Sequence, residues 1–252
     1  MARLGTVCHS YGRTAALRTS GGTGRGIDGL GRRDAGTQGS QLPGVLGLSG
    51  PRSPVSSAIH GGPTPPAGRV VLVDPDGTVV ADEEKLSAHE SPGRLHLAFS
   101  VFIYRADGKL LLQRRAAGKY HFPLHWANAC CSHPAPGEDV VASAERRLVE
   151  ELGITCTLAE VGSFVYRAVC PVSGMVEHEL DHVLVGVTAE QPRPSPEEVD
   201  AICWLPAAQI GPGSPAGAHA PWLSRALGIA ESARADWPRA RARRREIVVP
   251  DG

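Results

Sequence analysis

The chain has 252 residues, in which 26 Lys and Arg balance 26 Asp and Glu to a net charge of zero, and no basic stripe points to nucleic acid. No apolar run approaches the length needed to cross a bilayer and no signal-peptide core is visible, so the expectation is a cytoplasmic protein without a membrane span. Six cysteines at irregular positions, with no Cys-x-x-Cys pair, do not form a disulfide framework, and reduced thiols are expected.

Residues 1–68 are dominated by Gly, Ser, Pro, Thr and Arg, carry only Asp28 and Asp34 as acids, and sustain no apolar period. Such a segment cannot bury enough apolar surface to offset its ordering entropy and is expected to be disordered. Its arginines resemble those of a transit peptide, but Arg exceeds Lys throughout the chain, so background composition accounts for them. Residues 69–235 are long enough for one domain with its own core, and 236–252 read as a basic, frayed tail.

Within the domain, Arg69 to Val73 and Val79-Val80 flank Asp74-Pro-Asp-Gly77, a hairpin signal. A polar connection from Asp82 to Gly93 follows and carries His89. Leu95 to Tyr104 reads as a strong strand that Ala106 to Lys109 turns into a second, Leu110 to Arg114. Alternation puts His96, Ala98 and Ser100 on one face of the first strand, and Leu97, Phe99 and Val101 on the other. Residues 115–127 carry Arg115, Lys119, His121 and Trp126 without a period, so a loop is expected. Asn128-Ala-Cys-Cys-Ser-His133 comes next, and if extended it turns Cys131 and His133 to one side.

A helix is predicted from about Asp139 to Leu152, with Val141, Ala144, Leu148 and Leu152 at helical spacing and Gly153 as C-cap. Glu151 falls at the edge of its apolar stripe. Ile154 to Leu158, Val161 to Ala168, Leu180 to Val187 and Ala201 to Leu205 read as further strands, and a closing helix carries Leu223, Leu227 and Ile229. Strands around one central helix, with another helix at the end, argue for an α+β or α/β sandwich.

Three histidines, His89, His96 and His133, and two carboxylates, Glu177 and Glu179, come from separate connections and strand ends. Nitrogen and hard-oxygen donors in this mixture suit Mn²⁺, Mg²⁺ or Zn²⁺, with the oxygens favouring six-coordination. The helix supplies a more specific signal. Glu138, Arg146, Leu148, Glu150, Glu151, Gly153 and Ile154 match most of the Nudix box, with Ser132 at its first Gly and Arg147 where a metal-binding Glu is usual. A cation at 147 would repel a second hydrolytic metal.

Four motifs in this order, Arg94 to Ser100, Asn128 to Pro134, Tyr166-Arg-Ala168 and Val176 to Glu179, resemble the type 1 isopentenyl diphosphate isomerases, a branch of the Nudix fold. The resemblance runs from about Val70 to Trp222. It implies a Nudix-type α/β/α sandwich with a mixed central sheet, and interconversion of isopentenyl and dimethylallyl diphosphate in isoprenoid biosynthesis. It further implies Cys131 and Glu179 as the catalytic pair, with Cys130 as packing. His89, His96, His133, Glu177 and Glu179 are the implied ligands of one divalent metal, and Glu151 the implied holder of Mg²⁺ against the substrate diphosphate. Lys85, Arg115 and Lys119 match the cations on the diphosphate, Tyr166 a tyrosine near the reacting carbons, and Trp222 the indole that shields the cationic intermediate. One departure is Leu124-His125 in place of the small residue usual after the proline. The partner is thus a small-molecule diphosphate, for a monomer or homodimer. A Nudix pyrophosphohydrolase and a non-catalytic diphosphate-binding domain are the competing readings.

Overall fold

Strand β4, His96–Tyr104, is buried along almost its whole length because both of its faces are covered. On one face Phe99, Val101 and Ile103 pack with Leu111 beneath Ala144, Leu148 and Leu152 of helix α2, Val140–Leu152. On the other, Phe102 and Tyr104 pack with Leu110 and Leu112 against Leu223, Ala226 and Leu227 of α3, Leu223–Arg234. Two helices on opposite faces of one sheet make the α/β/α sandwich, and the period-two alternation of β4 distributes its side chains between the two cores.

The computed structural model describes residues 8–10, 68–211 and 217–234. The arm and the tail expected from sequence lie outside these residues, except that Cys8–Ser10 form a short strand, β1. This strand pairs antiparallel with β10, Val199–Pro206. The remaining strands are β2 (Arg69–Val73), β3 (Val79–Glu84), β5 (Lys109–Arg115), β6 (Trp126–Ala127), β7 (Cys130–Ser132), β8 (Ala159–Val169) and β9 (Val176–Val187). The main path of the sheet runs β1-β10-β5-β4-β2-β3, with β7 and β9 joined to β4 and β8 to β9. The β4 to β9 pairing is parallel and its other pairings are antiparallel, so the sheet is mixed.

Three local expectations are corrected. The stretch from Asp82 to Gly93 is more than a polar connection: Asp82 to Glu84 extend β3, and Lys85–His89 form helix α1, capped by the Glu84 carboxylate on the Ser87 amide. Ile154 to Leu158 is not a strand. Ile154 and Leu158 are buried anchors, while the amides of Thr155 and Leu158 are taken by the side chains of Glu190 and Glu145 instead of a neighbouring strand. Cys203 is disulfide-bonded, against the expectation of wholly reduced thiols, because spacing along a chain says nothing of which strands meet across a sheet. Cys130, Cys131 and Cys170 are free. No helix among the described residues is long and apolar enough to cross a membrane.

Candidate active site

The register of β4 with its neighbours assembles the site. The parallel pairing sets His96 opposite Glu179, the β8 pairing sets Tyr166 opposite Glu179, and the β7 pairing sets Ser100 opposite Cys131. A one-residue slip of β9 would turn Glu177 and Glu179 to the far face. Alternation on β7 separates the two neighbouring thiols, sending Cys130 into the core under α2 and Cys131 towards the α3 side.

These strands open onto a cavity of about 680 Å³. Its lining includes Cys131, His133, Tyr166, Glu177, Glu179 and Trp222, together with the cations Lys85, Arg115, Lys119 and Arg147. Of the residues expected at the site, Glu151 alone among the acids stays behind the wall. It is 1 % exposed, and its two oxygens accept from Gln113 Nε2 at 3.1 Å and Arg147 Nη2 at 2.7 Å. Arg147 also reaches Glu198 at 3.0 Å, and Glu198 pairs with Lys119, so one carboxylate ties two cavity cations together.

The Cys131 thiol donates to Asn128 Oδ1 at 3.0 Å and receives the Trp222 indole N–H at 3.2 Å. Burial pushes this thiol far above its ordinary range, with Arg115 acting the other way, so it keeps its proton at neutral pH. Glu179 takes the Tyr166 hydroxyl at 2.5 Å and His133 Nε2 at 2.8 Å. Burial acts upward on Glu179, yet the nearby imidazole of His96 and the Tyr166 hydroxyl hold it below the usual carboxylate range. The Tyr166 phenol is driven well up by burial and by Glu179, and it stays a donor.

His89, His96, His133, Glu177 and Glu179 offer one ligand atom each, all within 4.8 Å of one another. Their chemistry fits a divalent cation. The Nδ1 atoms of His89 and His96 face the carbonyls of Lys85 and Arg94 at 2.6 and 2.8 Å, which turns both Nε2 lone pairs inward. His96 Nε2 and His133 Nδ1 are buried without a hydrogen-bond partner. Burial, with Lys85 and the other two histidines, lowers the His133 imidazole well below its ordinary range, leaving it neutral as a ligand must be.

Sequence reasoning missed several members of this site. Asn128, fully buried, anchors both Cys131 and Trp222, and its place in the Asn128 to Pro134 motif was the available signal. His121, from the aperiodic loop, lies against Glu177 at 3.1 Å. Asp181 continues the acidic face of β9 and accepts from Ser100 Oγ at 2.8 Å, with burial and Glu179 raising it well above the usual range.

Comparison with known proteins gives the family. The NUDIX domain matches residues 94–226, over half of the chain. The isopentenyl-diphosphate Delta-isomerase of Nocardia farcinica is 49 % identical over 166 residues, covering 65 % of this chain and 95 % of that protein. That of Halorhodospira halophila is 46 % identical over 171 residues, covering 67 % of this chain and 97 % of its own. Among solved structures, DR0079 from Deinococcus radiodurans aligns with a TM-score of 0.51 at 18 % identity, over 64 % of this chain and 98 % of that one, a likeness of fold alone. Matched in its domain over half its length and in its relatives nearly end to end, the chain belongs to the isopentenyl-diphosphate Delta-isomerase family of NUDIX-domain proteins.

Proposed function

We propose that this cavity interconverts isopentenyl and dimethylallyl diphosphate through a tertiary carbocation, with Cys131 and Glu179 as the acid/base pair. Family membership makes the chain an isomerase of isopentenyl diphosphate; the roles of individual residues are our reading. The observation that carries it is the placement of Cys131 and Glu179 on the two strands flanking β4, facing one cavity. The thiol holds its proton and the carboxylate has lost its own. Moving a double bond by one position requires a proton added at one carbon and another removed at a second, so the pair ends each turnover with its protonation states exchanged, and proton exchange with solvent restores them.

The other residues protect the intermediate. Trp222, 3 % exposed, presents its ring to the cavity, and the Arg115 guanidinium already rests over that ring at 5.6 Å. A face that accepts a guanidinium can accept a carbocation. Tyr166 holds Glu179 in position, and the buried aromatic wall keeps out the water that would capture the cation. Lys85, Arg115 and Lys119, joined by Arg147, form a cradle for the diphosphate.

His89, His96, His133, Glu177 and Glu179 would hold one divalent cation, Mn²⁺, Mg²⁺ or Zn²⁺, with its oxygen donors favouring a six-coordinate ion. Bound there, the cation supplies positive charge that sets the proton affinity of Glu179. We assign to Glu151 the Mg²⁺ that accompanies the diphosphate, in exchange for its Arg147 partner.

Incubation with isopentenyl diphosphate and Mg²⁺ in deuterated water tests the proposal. Dimethylallyl diphosphate carrying deuterium in a methyl group is the expected product. Release of phosphate without isomerisation would favour the pyrophosphohydrolase, which Arg147 in the Nudix box argues against.

A further inference from the structure

We propose that His121 is a positioning residue of the metal centre, holding Glu177 in place through its Nδ1–H. The inference rests on reading the five-residue cluster as a metal site, and it concerns a residue outside that cluster.

Glu177 is 3 % exposed; one oxygen accepts from His89 Nε2 at 3.2 Å, and His121 Nδ1 lies 3.1 Å from the other. Glu179 is 6 % exposed and accepts from His133 and Tyr166, with His96 Nε2 at 3.7 Å. Once a cation is bound, a ligand histidine gives it a lone pair from the inward nitrogen and has no N–H there for a carboxylate. The outward nitrogens of His89 and His96 are already committed to backbone carbonyls. Glu179 then retains the Tyr166 hydroxyl, and Glu177 retains His121. Each buried carboxylate has one donor that does not itself ligate, and ligating carboxylates are ordinarily oriented by such a bond.

Two further contacts fit the same role. The His121 ring stacks on the His89 ring, with centroids 4.3 Å apart and planes 17° from parallel, so it also fixes the tilt of a ligand. Its carbonyl accepts from Arg115 Nε at 3.1 Å. His121 therefore links the metal carboxylate to a cation of the diphosphate cradle, and the loop that carries it is pinned by the Phe122 amide on Cys170 Sγ at 3.2 Å. Its own Nε2 is buried without a partner, so Nδ1 is the atom the fold uses.

The test compares His121→Phe, which keeps a stacked ring but has no donor, with His121→Asn, whose amide nitrogen lies close to where Nδ1 stands. Full-length protein is stripped with chelator, its melting temperature is recorded, and Mn²⁺ is titrated by calorimetry. The Phe variant is expected to bind Mn²⁺ about 10- to 100-fold more weakly, with the metal-free melting temperature little changed. The Asn variant is expected to recover most of that loss. His121→Ala serves as the donor-free variant if the Phe ring does not fit. Wild-type affinity in the donor-free variant, or an Asn variant no better than it, overturns the inference. Failure of the wild-type chain to take up Mn²⁺ overturns the metal-centre reading itself, and the inference with it.

Discussion

The Trp222 indole N–H donates to Cys131 Sγ at 3.2 Å and to Asn128 Oδ1 at 3.1 Å, so one proton is shared between the candidate acid and the amide that orients it. Trp222 therefore has two separable parts, an aromatic face on the cavity and a polar edge on the thiol. Trp222→Phe keeps the face and deletes the edge. Loss of one net hydrogen bond is worth about 1 kcal/mol, so kcat should fall roughly five- to tenfold. Trp222→Ala removes both parts and should cost far more. Equal losses in the two variants, measured in steady-state kinetics, would show that the face contributes nothing.

Cys130 and Cys131 are adjacent in sequence and opposite in environment, which gives a paired comparison. Cys131→Ala should abolish isomerisation while the chain stays folded, as should Glu179→Gln. Cys130→Ala empties a fully buried position under α2 and should cost about 1 kcal/mol of stability with activity retained. An active Cys131→Ala protein, assayed by product formation, would remove the thiol from the mechanism.

Period and motif made much of this legible in advance. The two faces of β4, the bounds of α2 and the Gly153 cap follow from side-chain spacing, and the cavity is lined by Cys131, His133, Glu177, Glu179 and the expected cations, with Glu151 behind its wall. Long-range register was not legible. Nothing local in His96 says that Glu179 is its partner, because several strands and a helix separate β4 from β9 along the chain and the two meet only across the folded sheet. His121 was hidden for a related reason: it sits in a loop without a period, where position is set by single hydrogen bonds such as that from Arg115. The end residues Ile154 and Leu158 were apolar enough to suggest a strand, and only the side chains that take the amides of Thr155 and Leu158 show otherwise.

Leu124 adopts a left-handed backbone with φ 59° at the position where the sequence departs from a small residue, and its side chain is 49 % exposed. A non-glycine residue pays roughly 1–2 kcal/mol there, whereas glycine loses about 0.5–1 kcal/mol of extra chain entropy on folding. Leu124→Gly should thus raise stability by up to about 1 kcal/mol. A urea melt showing lower stability would mean that the exposed side chain contributes more than its contacts suggest.

Arg147 is the principal counter-charge of the buried Glu151, and Gln113 is the other partner. Arg147→Ala should destabilise the metal-free protein by about 2–3 kcal/mol, since it leaves a buried carboxylate without its cation. Added Mg²⁺ should restore much of the melting temperature if Glu151 is the carboxylate that takes this ion. A variant whose melting is indifferent to Mg²⁺ would place that ion elsewhere.

Lys119 provides the pH dependence. Burial, aided by the nearby cations Arg115, Lys85 and Arg147, pushes its ammonium down to about 8 against the pull of Glu151 and of its ion-pair partner Glu198. Below that pH the side chain is charged and can hold a diphosphate oxygen; above it the free protein offers a neutral amine, so binding must supply a proton. The value of kcat/KM for the diphosphate substrate should then be level below pH 8 and fall by up to about tenfold per unit above it. Lys119→Arg keeps its charge throughout this range and should remove the break while retaining a contact. Persistence of the same break in the Arg variant would assign it to another group of the cavity.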